Sequence, residues 1–225
     1  MDFEGKPTYF NDPRFSDITL RLHDKHGQMD FHAHKIILCR ESTWFEAKIS
    51  EKRVSKEANK SATIIDLYGD TPAIFETILR CIYHLGQDYT HYFCCPTDKN
   101  PYPNLVRLVA IIETAEKYGM APLHSQALHA SETAAGVLLR PIKDAKEEDW
   151  ESRNTVHTLW SLIHYVYKGK IEKDSELGMM LARVVLHADL TGTAQFEECG
   201  CAFPIFAVHV LVQAARGKLF QSPHE

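Results

Sequence analysis

Between Ile18 and Phe45 the apolar residues change their period from that of a strand to that of a helix, and few folds accommodate such a change in so short a stretch. Ile18, Leu20 and Leu22 alternate with Thr19 and Arg21, which gives one strand an apolar face. Asp24, Lys25, His26 and Gly27 interrupt the alternation, and Met29, Phe31 and Ala33 resume it, so the two runs predict a β-hairpin. After His34 the spacing shifts to Ile37, Leu38, Trp44 and Phe45, with Ser42 placed to cap a second helix. Strand, strand, helix, helix is one compact supersecondary unit.

Downstream, Thr71-Pro72 opens a helix, with Thr as N-cap and Pro at the first helical position. Ile74, Phe75, Ile78, Leu79, Ile82 and Tyr83 supply its buried face. Gly86 to Asn104 is rich in turn residues and tyrosines and is expected to hold a short strand and a loop. Leu105 to Tyr118 returns to helical spacing with Gly119 as its stop, and a further helix is expected from Pro122 to about Ala135. Lys143 to Asn154 is charged without an apolar period and reads as a solvated linker or loop. Val156, Leu159, Trp160, Ile163, Val166 and Tyr167 then define an amphipathic helix, and Leu177 to Ala188 another. A third apolar segment, Phe203 to Ala215, is expected to be helical from Pro204.

Composition narrows the function. The 225 residues exceed one small domain, and 44% hydrophobic against 24% charged residues suit a chain with a real core. With 25 Lys and Arg against 30 Asp and Glu, the net charge of −5 offers no basic field for a phosphate backbone, so nucleic acid is not an expected partner. No run approaches the roughly 20 apolar residues of a membrane span, and Met1-Asp2-Phe3-Glu4 lacks the regions of a signal peptide. An intracellular protein, cytoplasmic or nuclear, is therefore expected, with Cys39, Cys81, Cys94, Cys95, Cys199 and Cys201 as thiols.

Phe15, Ser16, Asp17, Phe31, His34, Lys35, Leu38, Ser42 and Phe45 together resemble the BTB/POZ signature, in which an Asp opens the first strand and a His-Lys pair opens the first helix. The continuation is similar as well, with Thr63 to Leu67 as a third strand and a helix closing on Ile82-Tyr83. The resemblance implies an α+β fold, a small mixed sheet capped by helices, and binding to other proteins rather than catalysis. The stretches LWSLIHYVYKGK, LARVVL and FAVHVLV resemble the mainly α-helical C-terminal extension of BTB proteins from filamentous fungi. The organisation expected is a lead-in over 1–14, a BTB/POZ domain over 15–135, a charged linker or loop over 136–154 and a helical extension over 155–220. The lead-in is short for the N-terminal helix and strand by which longer BTB domains pair.

The resemblance makes Trp44, Phe45 and Ile49 a candidate interface, because BTB domains use this helix for dimer contact; a core role gives the same pattern. Cullin-binding members carry a hydrophobic-x-Glu element after this helix, and Ile49-Ser50-Glu51 has those letters at an earlier position. Two functions are carried forward. One is a non-enzymatic interaction protein, a homodimer or an adaptor joining a cullin scaffold of a ubiquitin ligase to a captured protein. The other is an enzyme or zinc protein built on the thirteen histidines and six cysteines.

The second has little local support. His23, His26, His32 and His34 do not complete a four-ligand shell, and spaced Cys and His pairs are absent. Cys94-Cys95 resembles the zinc-binding pair of potassium-channel tetramerisation domains, without the upstream ligands of that family. No G-x-S-x-G, Walker, G-x-G-x-x-G or H-E-x-x-H motif occurs, so no catalytic residue, metal or cofactor is assigned. Asp17 and His34 invite an active-site assignment, but a carboxylate at the start of a core strand also accepts backbone N–H groups at a helix start, and His34 lies at one.

Overall fold

The computed structural model describes residues 9–54, 63–83, 102–144, 150–169, 171–172 and 174–220. In chain order the elements are β1 (Ile18–Asp24), β2 (Gly27–Ala33), α1 (Lys35–Glu41), α2 (Thr43–Val54), β3 (Thr63–Tyr68), α3 (Pro72–Tyr83), α4 (Tyr102–Lys117), α5 (Ala121–Asp144), α6 (Trp150–Lys168), α7 (Glu176–His187), α8 (Ala194–Ala202) and α9 (Pro204–Phe220). They fall into two compact units, the described residues of Met1–Cys95 with Ala110–Ala127, and those of Pro96–Val109 with Leu128–Glu225.

In the first unit the sheet runs β2-β1-β3, with β1 antiparallel to β2 and parallel to β3. The small mixed sheet that the resemblance implied is thus present. Its centre is β1, whose Ile18, Leu20 and Leu22 are buried while Arg21 and His23 face the other way. Asp24 sets the hairpin turn by accepting the His26 N–H at 2.6 Å. On the apolar face Ile18, Leu20, Phe31, Ile65 and Leu67 bury together with Leu38, Phe45, Phe75 and Ile78 from the helices.

The second unit is helical. Leu159, Ile163 and Val166 of α6, Met180, Leu181 and Val185 of α7, and Phe206 and Val210 of α9 are all buried. Both α7 and α8 open on hydroxyl caps, Ser175 accepting from the Gly178 N–H at 3.3 Å and Thr193 from the Phe196 N–H at 3.3 Å.

Three expectations change. The helix expected to stop near Ala135 continues to Asp144, and the next begins at Trp150, so the stretch expected as a charged linker over 136–154 is helical at both ends. A charged run without apolar period is also the solvated face of a helix, and Leu138, Arg140 and Lys143 are good helix formers. The short strand and loop expected over Gly86–Asn104 lies mostly outside the described residues, and its last residues already belong to α4. Helix α8 was not expected, because it is short and presents a single buried cysteine.

Candidate functional site

The signature residues meet at the start of α1. Asp17 is exposed, and its Oδ1 accepts the Lys35 N–H, the first of the helix, at 2.8 Å. His34 stands at the N-cap position in extended conformation and makes no side-chain cap of its own. The cap comes instead from the neighbouring strand. His34 turns to Tyr83 at the end of α3, donating its backbone N–H to the hydroxyl at 2.9 Å and placing Nδ1 2.8 Å from it. Burial pushes the Tyr83 hydroxyl up to about 12, so it stays protonated at neutral pH. Asp17 and His34 thus anchor the first helix to a strand and to α3.

Ser42 joins α1 to α2. Its hydroxyl accepts the Phe45 N–H at 3.0 Å and donates to the Tyr118 carbonyl at 2.5 Å, so one buried side chain serves as N-cap and as tie to the end of α4. Phe45 stacks on Tyr118 with centroids 5.3 Å apart and planes 6° apart, and half-buried Trp44 meets both rings edge-on. The Tyr118 hydroxyl donates to Asp70 at 2.6 Å, and Lys117 reaches the same carboxylate at 2.8 Å. Burial, then the Asp70 carboxylate, push the Tyr118 hydroxyl up. Gly119 closes α4 at φ 60°, and a Cβ there would come 2.2 Å from Thr43 Oγ1. Local sequence signals mark only Ser42 as a cap and Gly119 as a stop at this junction, since Asp70 and Lys117 lie far apart in the chain.

The geometry removes two of the three candidate interface residues and leaves Trp44, which is half-buried. Phe45 is fully buried and Ile49 is 4% exposed, so both are core and neither is open to a partner. Ile49 cannot then present the apolar residue of the Ile49-Ser50-Glu51 element. The first unit exposes apolar side chains near the start of α1, where Ile36 is 79% exposed, Phe15 64% and Tyr9 49%, and on its sheet at Tyr68 and Met29. Tyr9 meets Phe15 edge-on at 5.8 Å and the His34 ring at 6.2 Å, so these residues surround the signature.

In the second unit Tyr167, His209 and Gly178 tie three helices. The Tyr167 oxygen lies 2.6 Å from His209 Nδ1 and 3.1 Å from the Gly178 carbonyl, and all of this is buried. Burial pushes the Tyr167 hydroxyl up. An open groove of about 540 Å³ runs between α6 and α8. It holds a Cys–His pair, Cys199 Sγ and His164 Nδ1 3.9 Å apart. Burial, with Glu198 beside it, pushes the Cys199 thiol up, which is opposite to the shift that makes a thiolate nucleophile. Among the described residues no group of three or more His, Cys, Asp or Glu is arranged to hold a metal ion, and Cys94-Cys95 lies outside them. No single helix among the described residues is long and apolar enough to cross a membrane.

Compared with known proteins, residues 8–133 match the family model described as BTB/POZ domain, more than half of the chain. The match covers every signature residue from Phe15 to Phe45. No curated protein matches the chain.

Proposed function

The chain belongs to the BTB/POZ family, whose domain is a protein–protein interaction module, and from that premise we propose that it works by binding proteins, beginning with a second copy of itself through the face of Tyr9, Phe15 and Ile36. The observation that carries this is the exposure of Ile36 in the first turn of α1, two residues from His34, whose ring meets exposed Tyr9, which in turn meets exposed Phe15. Exposed apolar residues scattered singly need no explanation, but a cluster around one helix start is the signature of an interaction surface. The mechanism is burial of these side chains against a partner, with Asp17 and His34 holding the helix that displays Ile36.

The reading is non-catalytic and needs no cofactor. It is set inside the cell, where a reducing compartment keeps cysteines as thiols. An adaptor joining a cullin scaffold to a captured protein is a finer version, and since Ile49 is core, its scaffold contact would have to be made elsewhere.

Light scattering coupled to size exclusion on the full chain tests the proposal. The wild type should run as a dimer, and Ile36→Glu as a monomer with unchanged melting, because an exposed side chain contributes little to the fold. A wild type that stays monomeric across concentrations, or a dimer that survives Ile36→Glu and Phe15→Glu together, would overturn it.

A further inference from the structure

Helix α9 is apolar on both of its sides. Phe206, His209, Val210 and Gln213 form its buried side. On the opposite side Pro204, Val208, Leu211 and Ala215 are exposed, Leu211 by 70% and Val208 by 39%. From Cys199 to Ala215 the chain has no Asp, Glu, Lys or Arg. Helix α3, which buries an apolar side of its own, shows solvent the Glu76–Arg80 pair instead, 2.6 Å apart. A helix apolar all round belongs in a core, and the described residues leave the outward side of α9 uncovered.

The spacing says what shape of cover fits. Pro204, Ala207 with Val208, Leu211, and Ala214 with Ala215 recur at three- and four-residue steps, which is the seam that one helix presents to another. The seam extends about 16 Å, or three turns. Its alanines let a second helix axis come close, and Val208 and Leu211 stand out as the side chains it closes around. Charges stand at both ends. Exposed Glu197 and Glu198 lie in the last two turns of α8, just before the 117° bend into α9, and exposed Arg216 follows the last apolar residue. None of the three forms an ion pair among the described residues.

We propose that the outward side of α9 binds an amphipathic helix of a different protein, antiparallel to α9, with leucine-like side chains along its seam, acids toward its N-terminus and bases toward its C-terminus. In that direction its acids meet Arg216, its bases meet Glu197 and Glu198, and the two helix dipoles oppose. A lipid surface fits less well, because interfacial helices carry bases beside their apolar side, and the charges ahead of this seam are acids. A second copy has the same charge order, but with pairing through the Ile36 face a further self-contact would link dimers into larger assemblies. This site rests on the reading of the chain as an interaction protein and is separate from the Ile36 face.

The probes are three fluorescein-labelled helical peptides. The first has leucines at the seam, glutamates at its N-terminal end and lysines at its C-terminal end; the second reverses that charge order; the third has alanines at the seam. Polarisation with the full chain should show the first bound best, and binding should weaken about tenfold or more with the alanine peptide and with Leu211→Glu. Arg216→Glu should narrow the preference between the two charge orders, which a general loss of structure does not do. Leu211 and Arg216 are exposed, so melting should be unchanged. No binding by the leucine peptides, equal binding of both charge orders, or binding indifferent to Leu211→Glu would overturn the site. Assemblies above the dimer that Leu211→Glu dissolves would overturn it in favour of a second copy, and Leu211-dependent sedimentation with phosphatidylcholine and phosphatidylserine vesicles in favour of lipid. Light scattering on the same samples reports the Ile36 face separately, so the two readings fail independently.

Discussion

The junction around Ser42 in the first unit and the groove along α6 in the second are built from similar residues to opposite ends. Around Ser42 each polar group is used: the serine caps and ties, the Tyr118 hydroxyl meets Asp70, and Lys117 completes the carboxylate. Aromatic rings fill the space between them. Along α6 two aromatics, two imidazoles, a serine and a lysine line a groove with one short helix opposite. Paired polar groups among stacked rings hold a fold. His157, Ser161, His164, Tyr165 and Lys168 are left exposed along a groove instead.

The contrast breaks first at Phe45. Truncation to alanine should cost about 3–5 kcal/mol, because a fully buried ring stacked on Tyr118 leaves a cavity between α2 and α4. A denaturant titration that shows less than a third of this would return Phe45 to the list of interface residues. Next is Gly178, where a Cβ would lie 2.4 Å from His209 Cε1. Gly178→Ala should destabilise by about 1–3 kcal/mol despite the better helix propensity of alanine, and adding His209→Ala should recover part of the loss. Asp17→Ala removes the cap of α1 and should lower stability by about 1 kcal/mol in thermal melts, with Asp17→Ser milder.

The smallest effect is on alkaline stability. The Tyr83 hydroxyl is raised from 10.0 to about 12 by burial, so its neutral form favours the folded state. Its contribution is complete below pH 10 and is lost as pH rises through about 12. Tyr83→Phe should give a lower but flatter stability curve between those values, and a curve parallel to the wild type would contradict the assignment.

The first unit was largely legible in the chain, because strand alternation from Ile18 and a cap at Ser42 are local signals that the fold then uses. The structural role expected for Asp17 was legible for the same reason: a carboxylate before a strand and a helix start after it had to be near each other. Tyr83 beside His34, and Asp70 beside Lys117, were not, since nothing local marks a hydrogen bond between distant segments. Phe45 and Ile49 showed an apolar helix face without showing what covers it. The groove stripe of α6 escaped because hydrophobic periodicity passes over His, Ser and Lys, and α8 because one buried cysteine in a short helix makes no period.

The most direct measurement on the central claim is amide hydrogen exchange of the full chain at low and high protein concentration. Protection should rise with concentration in residues 9–15 and 35–41 and remain constant along α2, whose Phe45 and Ile49 are already buried. Protection that rises along α2 instead, or nowhere in the first unit, would contradict self-association through the Ile36 face.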